Sequence, residues 1–199
     1  MSNLSEDDSK ALNNRHDERR EQLLDIAVSL FAKHGLEGTT TKDIAKAAGV
    51  SPGLLYHYYS SKEDLLLNVI KRFKSEANDE LESDVLKLPV EEGLLRILNR
   101  FNDKIEKDRD LILTITRAAS IYPVISDTLK QFNNAESSNL NKFLDEKIKS
   151  GEIRAVNSVR LSKIMRHVIV MEQLYGSHKI GEPEIKMYID ILLNGLMIK

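Results

Sequence analysis

The sequence has no cysteine, no tryptophan, four prolines and nine glycines in 199 residues. Without cysteine there is no disulfide framework, no thiolate nucleophile and no cysteine-bound zinc. The lack fits a reducing compartment, so a cytoplasmic protein is expected. No apolar run reaches the roughly 18 residues that a membrane span needs. The opening residues MSNLSEDDSK are acidic and polar, without the apolar stretch of a secretory leader. No membrane partner is expected. Catalytic signatures are missing too: there is no glycine-rich phosphate loop, no Gly-x-Ser-x-Gly elbow and no His-Glu-x-x-His pair. The five histidines (16, 34, 57, 167 and 178) are scattered. Neither an enzyme nor a metal or cofactor is expected. A large positive charge is also lacking. The net charge is −2, and residues 10–62 carry only +2, so any affinity for nucleic acid must rest on how residues are arranged.

What is present is a globular composition, 41% hydrophobic and 30% charged. Apolar residues recur at helical spacing and nowhere alternate as in a strand, which predicts an all-α chain. Residues 1–14 are polar and read as a flexible arm. The first helix spans about Arg15–His34, with Leu23, Ala27, Leu30 and Phe31 on one face and Gly35 as its stop. A second helix starts at Thr40 or Thr41, where Thr40 and Asp43 have the spacing of a capping box, and stops at Gly49. Ser51 caps a third helix, Pro52–Tyr58, with Pro52 in its first turn. A fourth runs from about Lys62 to Val85. Further helices are expected at about 90–106, 110–121, 125–150, 158–177 and 184–198. The implied division is an arm (1–14), a helix-turn-helix domain (15–62) and a helical domain (63–199).

The corner at Gly49-Val50 carries the functional reading. A helix-turn-helix needs a residue there that accepts positive φ, a small residue where the helices cross, and apolar residues pinning them together. Gly49, Ala45 and the set Ile44, Ala48, Val50 and Leu55 supply these. The third helix is then the recognition helix, its N-terminal end toward base edges in the major groove. Ser51, Pro52, Gly53 and Leu54 are small or apolar. Gly53 permits close backbone approach, and Leu54 suits a thymine methyl. No Arg, Asn or Gln offers a bidentate base contact, so many contacts should go to phosphate. Tyr56, His57 and Tyr58 can offer polar groups to the backbone or bases, while Tyr59 should pack inward. Thr41, Lys42 and Lys62 sit at helix N-termini, which favour anions.

The run from Gln22 to about Leu67 resembles the TetR family of bacterial transcriptional regulators. It contains Phe31-Ala32-Lys33-His34-Gly35, a Thr-Thr pair before Asp43-Ile44-Ala45, Ala48-Gly49-Val50-Ser51, Gly53, Leu55-Tyr56, Tyr58-Tyr59 and Lys62-Glu63-Asp64-Leu65. The resemblance implies a dimeric, ligand-responsive repressor of nine or ten helices. It also implies DNA contacts from Thr41, Tyr56, His57, Tyr58 and Lys62. One departure is that relatives often have His at the position of Tyr58 and the aromatic at that of His57.

The C-terminal part reads as an effector-binding and dimerisation domain. Ile185, Tyr188, Ile189, Leu192, Leu193 and Leu196 form a dense stripe. With Val168, Met171 and Tyr175 they make a candidate dimer interface about a two-fold axis. Candidate ligand contacts are Phe101, Ile105, Ile115, Tyr122, Phe132 and Met165, with Arg117, His167 and Glu172 as polar residues inside apolar runs. The expected partners are a palindromic double-stranded DNA operator, a second copy of the chain and an unidentified small apolar or amphipathic effector that releases the DNA. The alternative is an activator, or an architectural DNA-binding protein without a ligand.

Overall fold

The structure is a computed structural model. It describes residues 6–77, 84–133 and 139–194, with side chains from residue 14 onward except those of 74, 76, 77, 132 and 133. Among the described residues there are ten α-helices and no strand. They are α1 (Glu6–His34), α2 (Thr41–Ala47), α3 (Pro52–Tyr58), α4 (Lys62–Ala77), α5 (Val90–Lys107), α6 (Arg109–Ile121), α7 (Pro123–Asn133), α8 (Asn139–Lys149), α9 (Ser158–Tyr175) and α10 (Glu182–Asn194). The all-α expectation holds.

Two boundaries differ from the sequence reading. Helix α1 starts at Glu6, so residues 6–14 are helical. Ala11 and Leu12 are strong helix formers, which suits this extension. Helix α4 is described only to Ala77, and a 3-10 turn at Val85–Lys87 precedes Pro89. The single helix expected over 125–150 is described as two stretches, α7 and α8, with residues 134–138 between them outside the described residues.

The chain divides into two compact units that interleave along the sequence. One comprises Met1–Arg72 and Asp110–Ile125, and the other Phe73–Arg109 and Ser126–Lys199. In the first unit, Leu23, Ala27, Phe31, Ile44, Leu55 and Leu65 are fully buried. Each such large apolar side chain contributes roughly 1.5–3 kcal/mol relative to exposure. Helix α6 is bound into this unit by Thr114, whose hydroxyl lies 3.0 Å from both the Phe31 and Asp110 carbonyl oxygens. Arg72 donates to Asp25 at 2.8 Å and to Glu21 at 3.2 Å, fixing α4 on α1.

The second unit has a core of Leu94, Leu98, Leu140, Phe143, Leu144, Ile169, Ile185 and Ile189 with their neighbours. A buried amide pair crosses it. Gln173 Nε2 donates to Asn102 Oδ1 at 2.7 Å, and both side chains reach the Ile180 carbonyl. Arg109 donates to the Gln173 and Leu174 carbonyls, each at 3.0 Å, and so satisfies open acceptors at the end of α9.

Candidate nucleic-acid interface

The α2–α3 corner is built from local signals. At the start of α2, Thr40 Oγ1 accepts from the Asp43 amide at 3.1 Å, and the Thr40 amide donates to the Asp43 carboxylate at 3.0 Å. The Thr40 hydroxyl and amide hold the Asp43 carboxyl below the usual carboxylate range. Gly49 adopts φ +65°, and Val50 N–H returns to the Ala45 carbonyl at 3.0 Å, closing the turn. Ala45 is buried. Ser51 Oγ accepts from Leu54 N–H at 3.2 Å, with Pro52 at the first position of α3.

Helix α3 buries one seam. Leu55 is fully buried and Tyr59, just beyond the helix, is 2% exposed. The Tyr59 hydroxyl donates to the Arg20 carbonyl at 3.1 Å, and burial pushes its pKa up. Ser51, Pro52, Gly53, Leu54, Tyr56 and His57 are exposed, Tyr56 by 53% and Leu54 by 38%. A helix this apolar, anchored on one side and open elsewhere, has the form of a rod that another body covers. Gly53 points the same way. A Cβ there would meet nothing closer than Ser51 Oγ at 4.0 Å, so packing within the chain does not require glycine. A side chain is spared where a partner's backbone could approach.

Around this rod the other expected DNA contacts gather. The Thr41 hydroxyl, half-buried at the start of α2, lies 3.0 Å from the Tyr56 hydroxyl. Lys42 is exposed beside it. The Tyr58 ring is half-buried, 4.6 Å from the His16 ring and 5.4 Å from the His57 ring. Lys62, first residue of α4, is 20% exposed, and its ammonium is 3.8 Å from Glu37 Oε2. Glu37 was not anticipated from sequence. It stands in the α1–α2 turn and accepts at 2.7 Å from the hydroxyl of Tyr122, a residue 85 positions away. No local pattern signals such a pair.

The other candidate residues are dispersed. Ile115 is buried on α6, Arg117 is exposed on the same helix, and Tyr122 bonds Glu37; all three belong to the first unit. In the second, Phe101 packs against the core cluster that contains Met165, and Ile105 is buried. His167 and Glu172 are exposed, and His167 Nδ1 is 2.7 Å from the Lys163 carbonyl of its own helix. The side chain of Phe132 and all of Leu196 lie outside the described residues. Val168, Met171 and Tyr175 on α9, and Leu192 and Leu193 on α10, are exposed by 38–62%. Tyr188 is half-buried, whereas Ile185 and Ile189 are buried in the core of their own chain. Sequence reading also passed over Arg166. It is half-buried, burial pushes its pKa down, and among the described residues it has no carboxylate partner.

Comparison with known proteins gives a consistent result. Residues 23–69 match the sequence model described as bacterial regulatory proteins, tetR family. Over 55 residues the chain is 51% identical to the HTH-type transcriptional repressor KstR2 of Rhodococcus jostii (strain RHA1). That match spans 28% of this chain and only 27% of the relative. Over 150 residues it is 29% identical to the fatty acid metabolism regulator protein of Bacillus subtilis (strain 168), covering 72% of this chain and 75% of that one. The fold matches a crystal structure of the transcriptional regulator FadR from Bacillus subtilis in complex with stearoyl-CoA. Its TM-score is 0.69 at 24% identity, over 89% of this chain and 99% of that one.

Proposed function

The chain belongs to the TetR family of bacterial transcriptional regulators, and from that premise we propose that it is a repressor that binds a palindromic operator as a homodimer and is released by a small amphipathic effector. The observation that carries the reading is the exposed face of α3, held on one seam by Leu55 and Tyr59 and otherwise open. In the proposed complex α3 lies in the major groove. Gly53 and Leu54 approach base edges, and Thr41, Lys42, Tyr56, His57 and Lys62 engage the phosphate backbone. Two heads one helical turn apart, about 34 Å, would fit successive major grooves.

The exposed apolar residues of α9 and α10, Val168, Met171, Tyr175, Leu192 and Leu193, support self-association about a two-fold axis. The effector class is supported by the Bacillus subtilis relatives, one named for fatty acid metabolism and one holding stearoyl-CoA. We extend this to an apolar chain with an anionic end. Arg166, half-buried and without a carboxylate partner among the described residues, is the cation suited to that end. Effector binding would favour a state in which the two heads are wrongly spaced for the operator. Helix α4, whose residues fall in both units, is the element through which the change would pass.

The test starts from duplexes selected by the protein out of a random library. Palindromic winners and weakened binding on addition of stearoyl-CoA, but not of octane, are expected. Winners without two-fold symmetry would overturn the dimeric operator. Unchanged binding with stearoyl-CoA would overturn the effector class.

A further inference from the structure

We infer that Glu37 sets how strongly Lys62 engages DNA: its carboxylate holds the ammonium in the free protein, and the Tyr122 hydroxyl holds the carboxylate. The inference rests on the proposed contact of Lys62 with phosphate and adds a positioning residue that opposes it.

The geometry is specific. Lys62 is mostly buried for a lysine, at 20% exposure, and Glu37 is its carboxylate partner at 3.8 Å. One Glu37 oxygen faces Lys62 and the other accepts from Tyr122 at 2.7 Å. The turn that carries Glu37 is pinned on both sides. Leu36 is 5% exposed, and buried Thr39 donates to the Gly35 carbonyl at 2.8 Å and the Leu30 carbonyl at 3.2 Å. The backbone that carries Glu37 is therefore fixed by the fold, and its exposed carboxylate is oriented by Tyr122 and Lys62. Tyr122 titrates above its usual range because its hydroxyl donates to the Glu37 carboxylate, with smaller contributions from desolvation and from the charges of Glu37 and Glu63. The phenol thus stays a donor at neutral pH.

Two consequences follow for DNA. A phosphate oxygen must compete with Glu37 for the ammonium. Once Lys62 reaches the phosphate, the carboxylate is a like charge beside it. Both effects weaken binding. A pair of this kind at a protein surface is worth roughly 0.2–1 kcal/mol, which is about 1.4- to 5-fold in affinity for each head.

The test is a double-mutant cycle read by fluorescence anisotropy. It uses a duplex selected by the wild-type protein from a random library and a scrambled duplex of the same length. Glu37→Gln should bind both duplexes more tightly, by about 1.4- to 5-fold for each head engaged, with the gain shrinking as salt rises. Tyr122→Phe should shift binding in the same direction by less, and add nothing to Glu37→Gln. In a Lys62→Ala background, itself weaker than wild type, Tyr122→Phe should have no effect and Glu37→Gln should keep only the smaller gain of removing a like charge beside the phosphate. None of the three side chains belongs to the buried core, so equal melting temperatures separate this outcome from loss of structure. A gain from Glu37→Gln that is undiminished without Lys62, or no gain at all, overturns the inference while leaving DNA binding intact. Failure of the wild-type protein to bind either duplex removes the DNA reading, and the inference with it.

Discussion

Replacing Gly49 tests the corner on which the recognition helix depends. Its φ of +65° lies in the left-handed region, where a Cβ crowds the following carbonyl at a cost of roughly 1–2 kcal/mol. A Cβ added there would meet no other atom within 4 Å, so packing adds nothing and the whole penalty comes from the backbone. Gly49→Ala should therefore lose about 1–2 kcal/mol of unfolding free energy in urea. Gly49→Asn should lose clearly less, because asparagine tolerates this region through local hydrogen bonding. Two outcomes at the DNA level are informative. If the turn keeps its shape, the Gly49→Ala protein is less stable but binds the selected duplex normally. If it relaxes to negative φ, α3 swings and affinity falls up to about tenfold per head, the equivalent of about 1.4 kcal/mol. A neutral Gly49→Ala variant, or a Gly49→Asn variant as damaged as the alanine one, would refute the reasoning.

Removal of the N-cap by Thr40→Ala should cost about 1 kcal/mol in unfolding experiments. It should also flatten the acid limb of the stability profile. Asp43 titrates below its ordinary range when folded, so its contribution is present above the unfolded carboxylate pKa and is lost as pH falls through the folded one. Asp43→Asn should flatten the same limb, as seen by urea melts between about pH 6 and pH 3. Gly93→Ala should be destabilising by about 1–3 kcal/mol, although alanine suits a helix better. Its Cβ would come within 2.3 Å of the Phe143 ring, which is fully buried and cannot move aside; a gain in melting temperature would contradict this. Leu193→Asp, at an α10 position 38% exposed, should leave the chain folded but shift it from dimer to monomer in sedimentation. A dimer that survives would move the interface elsewhere.

The reading head was legible because its signals are local. Thr40 with Asp43, Gly49, and Ser51 before Pro52 each act within a few residues, and the structure realises each as a cap or turn. Tyr59 was expected inward and is buried, since its place four residues after Leu55 puts both on one seam. Tertiary choices were not legible in the same way. The apolar stripe of α10 shows that several faces need cover. It does not reveal that Ile185 and Ile189 turn into their own chain while Leu192 and Leu193 stay out. Among the polar residues inside apolar helices, Arg117, His167 and Glu172 lie outside at the surface, while Gln173 enters the buried amide pair with Asn102. Gln173 follows Met165 and Ile169 at helical spacing and shares their buried seam, which Arg117, His167 and Glu172 do not. The contact of Glu37 with Tyr122 depends on how distant segments meet.

The interleaving of the two units bears on how such proteins can be recombined. Helix α6 is encoded far downstream of the reading head, yet its Thr114 is tied to the Phe31 carbonyl and its Leu111, Ile115 and Ala118 are buried. A graft that exchanges only the segment before Phe73 would pair a foreign α1 with the resident α6 and mismatch that seam. A working chimaera has to carry two stretches of sequence, the amino-terminal one and the stretch from Asp110 to Ile125, as one inherited part.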